Sequence, residues 1–329
     1  MEDDAAGAAA AFRAVHPAQF YDKFLDAGIR PDGRELSACR ATSVVPGSVS
    51  RADGSCLVKL GRTTVLATVR GEIGLPAKAK GGGAEGDAEG EGGGGAAAMK
   101  AGAEPEPGAG EEGRLVVAVE FTPLASPAMR PGRSNGAAAA AASLLTRVLE
   151  GCGAVDCGAL AVAPGVVWVL YVDVAVLDHD GNFADAAMIA AVGALRDTTL
   201  PELAVEDGKA WLSGAARRRL GVRRSPVPLT CALLRGRLVA DPTLEEEHLC
   251  GTASGGGADI VTAAGDPGAA VNCITAVLDE SGALCSVHKP GGAPLDDAQM
   301  REVVQRAKER ARQVHALFTA EPAGEAQPM

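Results

Sequence analysis

Residues 165–195 hold the feature that most constrains this chain. After Gly165, Val166 to Val172 form an unbroken apolar run. Apolar and polar positions then alternate around Asp173 up to a turn at Asp178-His179-Asp180-Gly181-Asn182. That order reads as a buried strand delivering the chain to a tight turn. From Asp185 to Leu195, Met188, Ile189, Val192 and Leu195 fall at helical spacing with alanine and glycine between them. A helix without a charged face past its first turn must be covered on nearly all sides. Such a strand-turn-helix unit places backbone N–H groups at the helix N-terminus, where an anion binds if side chains assist.

Composition sets the outer bounds. With 329 residues and 47% hydrophobic content, the chain can bury the core of one large domain or of two lobes. A net charge of −11 argues against indiscriminate nucleic-acid binding by the free chain. Much of the acid sits in Met1–Asp4, in the Gly-Glu segment and in the tail, which leaves room for local basic patches. The eight cysteines are dispersed without a CxxC, and are expected to be reduced thiols of an intracellular protein. Cys152 and Cys157, or His248 with Cys250, have no second matching pair, so no metal or other cofactor is expected. No apolar run approaches a membrane span.

Taken in order, residues 1–29 are an acidic, Ala-rich arm followed by a short helix after Pro17, with Phe20, Phe24 and Leu25 on its apolar side. Arg30-Pro31-Asp32-Gly33-Arg34 is a compact turn, which taken alone is an ordinary Asp-Gly turn between solvated arginines. A hairpin follows, Ser55–Leu60 and Thr63–Arg70. Residues 76–113, rich in Gly, Ala and Glu, cannot bury enough surface to offset their ordering entropy, and are expected to be a disordered loop. Ser134 or Asn135 is placed to cap an Ala-rich helix to about Glu150, with Leu145, Val148 and Leu149 inward. Arg217, Arg218, Arg219, Arg223 and Arg224 make the connector 199–224 basic, either to attract phosphate or simply to be solvated. A second lobe starts near Val227, is interrupted by a low-complexity insertion at 251–270, and ends in an amphipathic helix from Pro294 to Phe318. That helix turns Val303, Val304, Ala307, Ala311, Val314 and Leu317 inward and its arginines outward.

Five of these stretches, in this order, resemble the ribonuclease PH family: Arg30–Arg34, Ala52–Leu66, Gly165–Ala187, Asp241–His248 and Leu284–Gly292. The resemblance implies an α/β fold, sheets packed on helices, related to the second domain of ribosomal protein S5. Phosphorolytic members carry a Thr-Arg pair shortly after the Asp-Gly turn, which holds the attacking phosphate. Here the matching positions are Phe183 and Ala184, which offer no charge-assisted donor. Losing one preorganised anion donor costs ~10²–10³ in rate. Active members also present two aspartates, one of them proposed as general acid; here they are Asp241 and Glu247. The longer carboxylate shifts its oxygens by about one methylene, and catalytic geometry tolerates little displacement.

The form Asp-Pro-Thr-x-Glu-Glu-Glu further resembles the ring subunits of the eukaryotic exosome that lack phosphorolytic activity. The implied role is architectural: one ribonuclease PH-like subunit of a six-membered ring, with cap proteins above and RNA threading the channel, working in the nucleus, nucleolus and cytoplasm. Arg130 and Arg133, and less directly Arg147, are by resemblance the candidates for lining that path; each is equally a solvated or interface arginine. The alternatives are an active phosphorolytic 3′ exoribonuclease using Asp241 and Glu247, and a free RNA-binding module. The expected organisation is an arm and helix over 1–29, a first lobe over 30–198 with its insertion at 76–113, the connector 199–224, a second lobe over 225–292 with its insertion at 251–270, and a helix and tail over 293–329.

Overall fold

A computed structural model describes residues 11–13, 15–74, 76, 112–125, 136–206, 209–252 and 272–319. The extreme arm, nearly all of 76–113, the capping positions Ser134 and Asn135, most of the second insertion and the tail lie outside them.

The apolar run anticipated at Val166 is strand β6 (Val166–Asp178), and its setting explains its composition. Strand β3 (Thr63–Gly74) pairs antiparallel along one edge of β6, and β4 (Arg114–Phe121) pairs parallel along the other. A strand with neighbours on both edges and covered faces is almost continuously apolar. The sheet is completed by β1 (Thr42–Pro46) and β2 (Gly54–Leu60), in the order β1-β2-β3-β6-β4, with β5 (Ala161–Ala163) on the end of β6. Helix α1 (Pro17–Asp26) precedes this sheet, and α2 (Gly136–Gly151) packs on β4. Helix α3 (Phe183–Asp197) begins two residues before the expected Asp185.

A second sheet, β10-β9-β11-β12, comprises β9 (Val227–Leu234), β10 (Arg237–Ala240), β11 (Cys273–Leu278) and β12 (Leu284–His288). Helix α3 lies against β2 and β3 of the first sheet and against β9 of the second, which is why it has no polar face. Its small residues allow this close approach: a Cβ on Gly193 would stand 2.5 Å from Cys56 Sγ. The helix is thus the core shared by both sheets.

The connector is an antiparallel ribbon, β7 (Thr199–Glu206) with β8 (Lys209–Arg219). Its arginines are largely partnered: Arg217 with Asp53, Arg223 with Asp156, and Arg224 with Asp279 at 3.8 Å. Arg218 and Arg219 remain exposed. Helix α4 (Leu244–Thr252) forms where the sequence showed only a run of glutamates, and α5 (Asp297–Thr319) packs on β9, β11 and β1. Val303, Ala307, Ala311 and Val314 of α5 face inward as expected, while Val304 and Leu317 are half-buried. One arginine departs from the expected outward set: Arg310 is buried and donates to Thr42 Oγ1 at 2.7 Å.

Candidate functional site

The turn after β6 delivers Gly181 and Asn182 to the junction of the two sheets. Asn182 takes a left-handed conformation, φ 52°, and opens α3. Its side-chain amide donates to Asp241 Oδ1 at 2.8 Å and to Asp185 Oδ2 at 3.0 Å. Its backbone N–H donates to Glu247 Oε1 at 2.8 Å. The positive end of a 15-residue helix therefore already carries a carboxylate of its own chain.

Asp241 is 1% exposed. Arg40 grips it through Nε to Oδ2 at 2.9 Å, Nη2 to Oδ1 at 2.7 Å and its own backbone N–H to Oδ2 at 2.8 Å. Burial pushes the Asp241 carboxyl up, but the Arg40 hydrogen bonds and charge, with Asn182, outweigh it and hold the group below the usual carboxylate range. The remaining Arg40 donors reach the Asp180 carbonyl at 2.7 Å and the Gly181 carbonyl at 3.1 Å. Thr63 locks the same turn, donating to the Gly181 carbonyl at 2.8 Å and accepting from the Asp180 N–H at 3.1 Å. Asp185 continues the network to β9, accepting from Thr230 N–H and Oγ1, each at 2.7 Å. Burial raises the Asp185 carboxyl despite these bonds.

The three glutamates in the first turn of α4 point to three different elements. Glu245 accepts from Tyr21 Oη at 2.8 Å and pairs with Arg13. Glu246, 2% exposed, accepts from Arg30 Nε at 2.9 Å and from the N–H of Thr243, just before the helix, at 2.8 Å. Glu247 reaches the Asn182 N–H, and burial pushes its carboxyl up to about 7. Arg30 is fully buried, so the solvated-arginine reading of the Arg30–Arg34 turn does not hold for it. It also donates to the carbonyls of Ala240 at 2.7 Å and Asp241 at 3.0 Å. The first and fourth of the five sequence stretches are therefore bonded to each other.

Phe183 and Ala184 occupy the first turn of α3. Phe183 is buried edge-on to Phe121, ring centroids 4.8 Å apart, and to His179 at 5.4 Å. Ala184 is half-buried beside it. A cavity of about 350 Å³ opens over the network, lined by Arg40, Arg62, Asp180, Thr243 and Glu245 among others. Among the described residues, no group of His, Cys, Asp or Glu is arranged to hold a metal ion, and no helix is long and apolar enough to cross a membrane.

Residues 38–91 and 95–201 match the 3′ exoribonuclease family, domain 1. Over 287 residues the chain is 32% identical to the exosome complex component Rrp42 of Aeropyrum pernix, covering 86% of each protein. The chain belongs to the ribonuclease PH family. Rrp42 of Sulfurisphaera tokodaii is 36% identical over 227 residues, 68% of this chain and 72% of that protein. Among solved structures, the Archaeoglobus fulgidus exosome with RNA bound to the active site superposes with a TM-score of 0.68 at 26% identity. The match covers 92% of this chain and 97% of that one.

Against this ribonuclease PH framework, the residues anticipated from sequence divide. Asp241, Glu247 and Phe183 converge on Asn182 and its turn, with Ala184 adjoining. Arg147 stands apart on α2, its Nη2 3.1 Å from His288 Nδ1 of β12. Arg130 and Arg133 lie outside the described residues. Sequence reading missed Arg40, Asn182, Asp185, Thr230 and Glu246. Arg40 has no local signal, since its carboxylate partner is 201 positions away. Asn182 directly after Gly181 did signal a left-handed helix entry.

Proposed function

We propose that this chain is a non-catalytic structural subunit of the RNA exosome core ring. It supports 3′-to-5′ RNA processing and degradation, in ribosomal RNA maturation and messenger RNA turnover, by helping to enclose the RNA channel. Other ribonuclease PH-like subunits flank it in a hetero-oligomeric ring of six, and cap proteins sit above. One observation carries the loss of catalysis: the Asn182 N–H at the head of α3 is bonded to Glu247 while Asp241 is fastened to Arg40. Neither carboxylate is positioned to serve a reacting phosphate or a leaving RNA oxygen, and Phe183 fills its place with an aromatic contact.

Within that ring, the Asp-Pro-Thr-x-Glu-Glu-Glu stretch and His288-Lys289-Pro290-Gly291-Gly292 support assignment as ribosomal RNA-processing protein 43, also called exosome component 8, working in the nucleus, nucleolus and cytoplasm. Arg147, with Arg130 and Arg133, supplies the cationic contacts along the RNA path.

The deciding experiment mixes the purified chain with ring partners, weighs the assembly, and assays phosphate-dependent release of nucleoside diphosphates. A stable hetero-oligomer with no phosphorolysis traceable to Asp241 is expected. Release abolished by Asp241→Ala in an intact assembly would overturn the proposal in favour of a phosphorolytic exoribonuclease using Asp241 and Glu247.

A further inference from the structure

Arg217, Arg223 and Arg224 of the connector are paired with carboxylates. Arg218 and Arg219 are exposed, and among the described residues neither side chain has an ion pair or hydrogen bond. Both line a cavity of about 310 Å³ between the β7–β8 ribbon and the Gly158–Leu160 turn with β5. Its walls combine these two guanidinium groups with Leu160, Trp168, Leu200 and Leu203.

Trp168 also has unmet bonding capacity. It is 8% exposed, and a Cβ on Gly71 would stand 3.3 Å from both its Cε3 and Cζ3. The indole N–H is on the opposite edge of the ring from those carbons, and it has no hydrogen-bond partner among the described residues. A buried indole N–H usually finds one, and here an acceptor can reach it from the cavity that the ring lines. Two carboxylates also border the cavity. Asp156 is paired with Arg223 and accepts from the Gly158 N–H at 3.1 Å. Glu202 is exposed, and against two free arginines it leaves the rim net positive.

We propose that this cavity is a binding site for a single nucleotide, with its base against Trp168 and its 5′-phosphate on Arg218 and Arg219.

The volume is at the small end for ligand sites, which suits one nucleotide and not a strand. A base brings apolar faces for the aromatic and aliphatic walls, and acceptors on its edge for the indole N–H. Arginine forks match phosphate oxygens in charge and geometry. A free nucleoside monophosphate and the 5′-terminal nucleotide of an RNA present the same chemistry. None of the residues lining this cavity lines the one over the Asn182 network, so nucleotide binding here does not depend on the loss of catalysis there.

The test titrates the full-length chain with uridine 5′-monophosphate (UMP), with uridine and inorganic phosphate as partial ligands, and follows tryptophan fluorescence and heat. The chain has two tryptophans, Trp168 and Trp211, so Trp168→Phe identifies the one that responds. Saturable quenching by UMP is expected, absent in Trp168→Phe, at an affinity ~10-fold or more above that of either partial ligand. Arg218→Ala and Arg219→Ala should each weaken binding ~10-fold or more, and Glu202→Gln should tighten it by removing like charge. UMP binding no tighter than phosphate overturns the proposal, as does binding that both arginine variants leave unchanged. These readings use the unsubstituted chain and exposed positions, and so decide the matter even if Trp168→Phe fails to fold. A 5′-phosphorylated oligouridylate that binds as tightly as UMP identifies an RNA end as the source, and its exclusion identifies the free nucleotide. Failure of UMP, with binding of an acidic phenylalanine-containing peptide, overturns the proposal in favour of a protein anchor.

Discussion

Replacing Gly181 by alanine separates a closed site from an open one. Gly181 has φ +83°, and a Cβ there would stand 2.4 Å from Leu244 N, 2.4 Å from the Thr243 carbonyl carbon and 2.8 Å from Pro242 O. All three are backbone atoms of the segment leading into α4, so no side chain can rotate out of the way. Two costs add. Holding an L residue in the left-handed region costs ~1–2 kcal/mol. Forcing the close-packed segment apart costs a further ~1–3 kcal/mol. Gly236 isolates the first cost, because its φ is +79° and nothing lies within 4 Å of its Cβ position. Urea unfolding should therefore show Gly181→Ala destabilised by ~2–5 kcal/mol and Gly236→Ala by only ~1–2 kcal/mol. Equal losses at the two positions would mean that the Asn182 turn is not pressed against residues 242–244.

Three further outcomes follow from the same network. Asp241→Asn strips the buried Arg40 guanidinium of its counter-charge and should cost ~3 kcal/mol or more in urea unfolding, without altering phosphate-dependent RNA degradation by an assembled ring. Glu247 has a folded pKa of about 7 against an ordinary 4.5, so the folded chain binds more protons than the unfolded one between those values. Its share of stability is full below about 4.5 and is lost as pH rises through about 7, roughly 3 kcal/mol in all. Glu247→Gln should flatten that segment of the stability–pH profile, and an unchanged slope would refute the assignment. Writing the family's Thr-Arg pair back as Phe183→Thr with Ala184→Arg should cost ~3 kcal/mol from the lost aromatic contact. It should restore no nucleoside diphosphate release, because Glu247 and Arg40 still hold Asn182 and Asp241.

What could be read in the sequence tracks how local its cause is. Strand β6, helix α3 and the β2–β3 hairpin each follow from a periodicity or turn confined to a few residues, and they formed where expected. The inward face of α5 was legible for the same reason, except at Arg310, whose partner Thr42 is 268 positions away. The ribbon β7–β8 was hidden by Pro201, which argues against a strand and sits where the pairing register slips, between Pro201 and Leu203. The degenerate pair Phe183 and Ala184 could be named from the resemblance, but not what fills their place. That Glu246 is buried against Arg30 while Glu245 faces Arg13 depends on which side of α4 meets which element, and three consecutive glutamates carry no mark that distinguishes them.

The bond from Arg30 to Glu246 spans 216 positions, and this has a consequence for how the molecule comes into being. On a ribosome adding ~5–20 residues per second, Glu246 is made ~10–40 s after Arg30. Throughout that interval the arginine destined for a sealed interior has no counter-ion, and Arg40 likewise awaits Asp241. The N-terminal sheet can pair its own strands early, yet its seam stays open until the C-terminal half arrives. Non-local closure of this kind is slow, so the nascent chain presents an unfinished charged seam to its surroundings. Holding factors that shield such a seam would act on the N-terminal half during synthesis and release it only once α4 has been made.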